Sequence, residues 1–223
     1  MSDLDHTAAL MLASPLLRGK VALASANPTG RYDAYPEETE ALKNAVDKRL
    51  RAFSAGRAAA RLALKELGAP AIAIPMGEDR APIWPPMLVG SITHTDTACL
   101  AAVGWEGEVR LLGLDLEPDQ PLDDDLLPTI CTETERQWLA EQENPGQSAK
   151  LIFSIKECVY KAQYRLSQTL FDFDTLEIAV DLENQSFVAH FRQDVAPFAS
   201  GDTISGRYAI GHGLIVTTVM ELV

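Results

Sequence analysis

Cysteine is scarce in this chain of 223 residues: Cys99, Cys131 and Cys158 are far apart and odd in number. No Cys-x-x-Cys pair or Cys/His cluster offers zinc a ligand set, and no disulfide framework can be drawn. Reduced thiols in a cytoplasmic compartment are expected. Bases are also short, with 19 Lys and Arg against 32 Asp and Glu and a formal charge of −13. A nucleic-acid partner needs a basic face to displace counterions, and an anionic membrane needs the same, so neither is expected. No apolar run approaches the roughly 18 residues of a membrane span. Two acids and no Lys or Arg precede Arg18, the reverse of a secretory signal.

What is present is an ordinary globular composition, 47% hydrophobic and 23% charged, enough for one large domain or two small ones. KVALASAN (20–27) reads as a strand. A helical pattern runs from Glu37 to Leu67 as one helix or two, because Ser54 and Gly56 weaken its middle; Gly68 and Pro70 stop it. AIAIP (71–75) suggests a short strand, and three prolines keep 78–86 an extended loop. A hairpin over 89–104, a strand over 109–117, an acidic loop and helices near 132–142 and 148–166 follow. The tail alternates in the two-residue period of strands. Each half therefore holds a major helix and several strands. This predicts an α+β fold of two pseudo-symmetric lobes, residues 1–108 and 109–223, with mostly antiparallel strands.

Several groups could carry chemistry. Asp115 and Glu117 lie two apart on a strand, so both carboxylates leave one face roughly 6.6 Å apart, with Leu112, Leu114 and Leu116 opposite. A hard divalent cation would relieve their repulsion, although a lone D-x-E is most often a solvated acidic face. Glu157 and Lys161 are four apart on one helix face, which alone describes an ordinary surface pair. Six of the 19 bases fall within residues 48–65 (Lys48, Arg49, Arg51, Arg57, Arg61 and Lys65), among alanines that would let a phosphate approach. Arg80 sits in a stiff Pro/Trp loop. His94, between Thr93 and Thr95, either faces an anion or decorates a polar turn.

Taken in order, GRAAARLALKELG, DRAPIWP, GSITHT, GLDLE and FSIKECVYKA closely resemble the 4'-phosphopantetheinyl transferases. The likeness is greatest to the large monomeric type serving siderophore, nonribosomal-peptide and polyketide synthesis, as in enterobactin or surfactin synthesis. It spans about residues 45–175, and ISGRYAIGHGLIVTTVM resembles the family's last hairpin. The resemblance implies transfer of the phosphopantetheine arm of coenzyme A, as substrate, to a serine of an apo acyl, peptidyl or aryl carrier protein. Holo carrier protein and 3',5'-ADP are the products. It implies Asp115, Glu117 and Glu157 as ligands of Mg²⁺, with Mn²⁺ equally suited to hard oxygen donors. It further implies Glu157 as general base, directly or through a metal-bound water, with Lys161 stabilising charge in the transition state. Arg49, Arg57, Arg80, Thr93, His94 and Lys156 fall on the coenzyme-binding blocks. Thr93 replaces a frequent serine and Cys158 a frequent alanine, while Leu116 supplies no third ligand from the strand. The acidic stretch DLEPDQPLDDD would repel an acidic carrier, so docking through apolar contacts or through bases on the other lobe is expected. Two other readings use the same residues: a metal-dependent nucleotide phosphohydrolase and a non-catalytic coenzyme A-binding protein.

Overall fold

A computed structural model describes residues 2–39, 42 and 46–223, with main chain only for 2–5. In chain order its elements are α1 (Ser2–Ala13), β1 (Val21–Ala26), α2 (Pro36–Thr39), α3 (Asp47–Glu66), β2 (Leu88–His94), β3 (Cys99–Trp105) and β4 (Val109–Pro118). There follow α4 (Leu127–Ile130), α5 (Glu133–Ala140), α6 (Pro145–Ser167), β5 (Leu176–Asp181), β6 (Ser186–Phe191), β7 (Thr203–Gly211) and β8 (Leu214–Leu222). Every strand pairing is antiparallel: one sheet runs β1-β3-β2 and the other β4-β8-β7-β6-β5. Each sheet carries one long helix, α3 on the first and α6 on the second. The architecture is the expected α+β one.

Helix α3 is rich in alanine, the best helix former, with Asp47 in its first turn and Lys65 in its last, both favourable to the helix dipole. It runs unbroken through Ser54 and Gly56, where a weak point was expected. Gly56 serves packing instead: a Cβ there would lie 3.1 Å from Ile92 Cγ2 on β2, so the glycine lets the helix settle on its sheet. Of the N-terminal part of the expected helix, 37–39 are helical within α2; Glu40, Ala41 and 43–45 lie outside the described residues.

Residues 71–75 form no strand. The Ile74 N–H donates to the Glu38 carboxylate (3.1 Å), and the Ile74 carbonyl accepts from Arg57 Nε (2.6 Å). Buried side chains, rather than a ladder, satisfy this backbone. Helix α5 opens with a capping box in which Thr132 and Glu135 exchange hydrogen bonds. Helix α6 starts at Pro145, three residues before the expected Ser148, because proline at the first helical position loses no hydrogen bond.

Three apolar clusters hold the molecule. One lies between α3 and the three-stranded sheet, and a second between α6 and the five-stranded sheet. The third is shared by both halves: Ala9 and Ala13 of α1 meet Leu100 of β3, Leu112, Leu114 and Leu116 of β4, and Val216 of β8. The even residues of β4 therefore bury on the α1 side, and Asp115 turns toward α6.

Edge strands β2 and β4 face each other across the lobe boundary, joined by hydroxyls where ladder bonds would be. Ser91 Oγ accepts from the Leu114 N–H (3.0 Å) and donates to the Leu114 carbonyl (3.4 Å). Thr93 Oγ1 accepts from the Leu116 N–H (3.1 Å).

Helix α6 crosses β4 at Gly113, where an added Cβ would lie 2.3 Å from the Cys158 carbonyl oxygen. G113A should therefore cost about 1–3 kcal/mol of stability, as overpacked cores do. G107A, with nothing within 4 Å of its new Cβ, should be near neutral. Urea unfolding midpoints of the two variants check this.

Candidate active site

Asp115 is the centre of the site, only 2% exposed although charged. Its Oδ1 accepts from Lys161 Nζ (2.5 Å) and from Thr93 Oγ1 (3.1 Å), and its Oδ2 from Ser154 Oγ (2.8 Å). Thr217 Oγ1 of β8 lies 3.0 Å from Ser154 Oγ and donates to the Ser154 carbonyl (3.0 Å). A charge out of water needs such partners. Burial alone would lower the Lys161 pKa, but Asp115, helped by Glu157 and Cys158, holds the ammonium above its ordinary value.

Glu117 emerges at the end of β4, half-buried, and pairs with Lys150 Nζ (3.1 Å). Burial, then the Asp115 charge, raise its pKa despite that pair. Glu157, one turn before Lys161 on α6, is raised by burial first; Lys161 opposes this, and Asp115 and Glu117 add to it. Asp115 thus acts on both Glu117 and Glu157, and Glu117 on Glu157. Their side chains do not converge: among the described residues no three His, Cys, Asp or Glu side chains are placed to hold a metal ion.

A cleft of about 610 Å³ opens between the lobes, lined by Arg80, Trp84, Tyr160, Lys161 and Tyr164. A smaller pocket of about 170 Å³ adjoins it at Glu157, Tyr160, Phe171 and Phe173. Tyr160 lines both, with Lys161 in the cleft and Glu157 in the smaller pocket. Arg80 has a left-handed backbone (φ 68°), unusual for a residue with a side chain. Neighbouring Asp79 steadies its loop by accepting from the Ala81 N–H (3.0 Å) and, across the cleft, from Tyr164 Oη (2.6 Å).

The other expected coenzyme residues divide. Arg49 is exposed on the first turn of α3, and His94 is exposed at the end of β2. Partial burial lowers the His94 pKa and Lys161 lowers it further, against Asp96 and Asp115. Thr93, by contrast, is buried and committed to Asp115 and Leu116. Arg57 is 5% exposed, lies over the Phe53 ring and holds Ile74. Lys156 is 1% exposed and spends its ammonium on Glu135 Oε2 (2.8 Å) and the carbonyls of Ile130 (2.8 Å) and Phe173 (3.0 Å). Arg57 and Lys156 spend their polar ends within the protein, on the loops beside the site, and Lys156 also lines the smaller pocket.

Ser154, Thr217, Asp79 and Tyr164 were missed from sequence. Ser154 carried a signal, since 154, 157 and 161 share one helix face; Thr217, beside Thr218 in a mostly apolar strand, carried little. All three thiols are buried; burial pushes the pKa of Cys99 and of Cys158 to about 12 and that of Cys131 to about 11. None is a thiolate at neutral pH.

Residues 37–104 match the family model of the 4'-phosphopantetheinyl transferase N-terminal domain, and residues 111–211 that of the 4'-phosphopantetheinyl transferase superfamily. The chain belongs to the 4'-phosphopantetheinyl transferases. The two matches meet where the three-stranded sheet gives way to the five-stranded one. It is 39% identical to 4'-phosphopantetheinyl transferase Svp of Streptomyces mobaraensis over 196 residues, 83% of this chain and 77% of that protein. It is 35% identical to Npt of Nocardia iowensis over 83% of this chain and 88% of the relative. Enterobactin synthase component D of Salmonella typhimurium is 40% identical over 124 residues, 54% of this chain and 51% of that protein. A phosphopantetheinyl transferase uses coenzyme A and an apo carrier protein. Membership of the family therefore supports transfer over nucleotide hydrolysis and over coenzyme binding without catalysis.

Because Lys156 and Glu135 are a fully buried pair, K156M should cost about 3 kcal/mol, as unmatched buried charges do. K48M, which breaks the exposed Lys48–Asp96 pair, should leave the unfolding midpoint in place. Denaturant titration of both variants measures the contrast.

Proposed function

We propose that Asp115, Glu117, Glu157 and Lys161 carry out the transfer of the 4'-phosphopantetheine arm from coenzyme A to a carrier-protein serine. The observation that carries this reading is Lys161, which lines the cleft between the lobes and pairs with Asp115, with Glu157 one turn earlier on α6 lining the smaller pocket beside it. Asp115, Glu117 and Glu157 offer the hard oxygen donors that Mg²⁺ or Mn²⁺ takes, and the Glu117 and Glu157 side chains would have to close on Asp115 to hold it. When bound, the cation neutralises charge on the diphosphate oxygens.

The chain's own residues supply the rest. Glu157 is the base. It takes the proton of the incoming serine hydroxyl, directly or through one water. The serine oxygen bonds to the phosphorus that bears the pantetheine arm. The bond from that phosphorus to the bridging oxygen breaks, and 3',5'-ADP leaves with the electron pair. Lys161 offers its ammonium to the charge that gathers on the phosphate oxygens.

Arg49, Arg80 and His94, all presented outward or to the cleft, bind the coenzyme's phosphates. The lowered pKa of His94 in the free protein means that an arriving phosphate draws a proton onto the ring. Residues 1–108 form the lobe that grips the coenzyme, and 109–223 the lobe that holds the cation and the base. The acceptor is an apo acyl, peptidyl or aryl carrier of siderophore, nonribosomal-peptide or polyketide synthesis. A single chain completes the site, so the enzyme works as a monomer, in the cytoplasm.

Intact-mass measurement of apo carriers incubated with coenzyme A and Mg²⁺ tests the reading. The carrier should gain one arm, and D115A or E157A should lose at least about 100-fold in rate. H94A should raise KM for coenzyme A about tenfold, with kcat kept. A D115A enzyme near wild type would sink the assignment.

The raised pKa values of Glu117 and Glu157 also set a pH dependence. Both carboxyls stay partly protonated above the usual carboxylate value, and a cation binds only the charged forms. Adding Mg²⁺ near pH 5 should therefore release protons, and apparent affinity should rise with pH until both are ionised. Calorimetry in two buffers of different ionisation enthalpy reads the release, which should shrink in E157Q.

A further inference from the structure

The hydroxyl bonds between β2 and β4 do more than join two sheets. Ser91 and Thr93 lie two apart on β2, so both side chains point across the boundary at β4. Ser91 gives and receives at one peptide: its acceptor takes the Leu114 N–H and its donor meets the Leu114 carbonyl. Thr93 accepts in the same manner from the Leu116 N–H but sends its hydrogen elsewhere, to Asp115 Oδ1. A hydroxyl has one hydrogen. Thr93 cannot serve a coenzyme phosphate as donor without letting go of Asp115.

On the far side of the carboxylate, Ser154 Oγ donates to Oδ2, and Thr217 holds Ser154 in turn. Thr93, Ser154 and Thr217 are each at most 4% exposed and come from three different elements, β2, α6 and β8. Both carboxylate oxygens are pinned, one from each lobe. Asp115 cannot turn about its side-chain axis without breaking a buried, charge-assisted hydrogen bond.

We propose that Thr93 is a positioning residue for Asp115, a single hydroxyl that sets the register between the lobes and the orientation of the carboxylate together, with Ser154, backed by Thr217, as its counterpart on the second oxygen. This rests on the reading that Asp115 serves the transfer reaction. It assigns Thr93 a task different from the phosphate contact that the family resemblance implies. Ser91 is the internal control, since it makes the same bridge between lobes without touching Asp115.

The test compares T93V, T93S, S154A, S91A and D115N in the full-length enzyme, by three readouts. These are Mn²⁺ binding followed by electron paramagnetic resonance without substrates, kcat and KM for coenzyme A, and the urea unfolding midpoint. T93V and S154A should each weaken Mn²⁺ binding about tenfold, as the loss of a residue orienting a ligand does. They should lower kcat with KM for coenzyme A within about twofold of wild type. T93S, which keeps the hydroxyl, should restore Mn²⁺ binding; S91A should lose as much stability as T93V yet bind Mn²⁺ as wild type does. If T93V raises KM for coenzyme A and leaves Mn²⁺ binding alone, Thr93 is a phosphate contact and the proposal fails. It fails equally if S91A and T93V weaken Mn²⁺ binding alike, since the effect is then one of general lobe packing. Should T93V fail to fold, S154A and T93S decide the matter by the same criteria. D115N separates the two levels: if it abolishes Mn²⁺ binding and transfer while T93V and S154A are silent, only the positioning role is lost. If D115N itself keeps both, the functional reading falls as well.

Discussion

A buried carboxylate governs how this molecule is put together. Removing a charge from water costs several kcal/mol unless partners replace the lost hydration, and Asp115 sits almost wholly inside. Its partners are drawn from β2, α6 and, one step removed, β8, so satisfying this one group ties both lobes to the long C-terminal helix. The apolar side of the same strand does the converse work. Leu112, Leu114 and Leu116 bury against α1, which also touches β3, so a single core passes beneath the boundary on which the polar site lies.

The two long helices repeat a second device. On α3, Arg57 reaches down to the carbonyl of Ile74, and its neighbour Arg61 forms a buried pair with Glu38, which in turn holds the Ile74 N–H. On α6, Lys156 reaches the carbonyls of Ile130 and Phe173 and pairs with Glu135, which holds the Ile178 N–H. In each lobe a base from the main helix and a buried acid lash irregular backbone to the sheet. These pairs contribute specificity of arrangement more than stability, since their desolvation offsets most of their attraction.

This is where reading the sequence reached its limit. The alternation of β4, the four-residue spacing of Glu157 and Lys161 and the hairpin of β2 and β3 are periodic, and periodicity is visible in a string of letters. So is the basic run 48–65, but direction is not. Of its six bases, Arg57 and Arg61 turn inward, Lys48 pairs with Asp96, and Arg49, Arg51 and Lys65 remain exposed, so the basic face is thinner than the count implied. The strand expected at 71–75 failed because apolar alternation cannot reveal that its backbone partners are side chains thirty-six and seventeen residues away. Hydroxyl residues were the least legible of all. Ser91 and Thr217 look like any small polar residue until the contacts are drawn, and Ser154 stands out only by sharing a helix face with Glu157 and Lys161.

The concealment of the three cysteines bears on the cargo this family handles. Coenzyme A and the arm it donates both end in a thiol, and any accessible enzyme thiolate beside them invites exchange with oxidised coenzyme. Attack on a disulfide requires a thiolate within reach. Cys99, Cys131 and Cys158 are out of reach and remain protonated, Cys158 next in the chain to Glu157. The catalyst thereby keeps sulfur chemistry on its substrate and off itself, staying free of mixed disulfides as the coenzyme pool grows more oxidised.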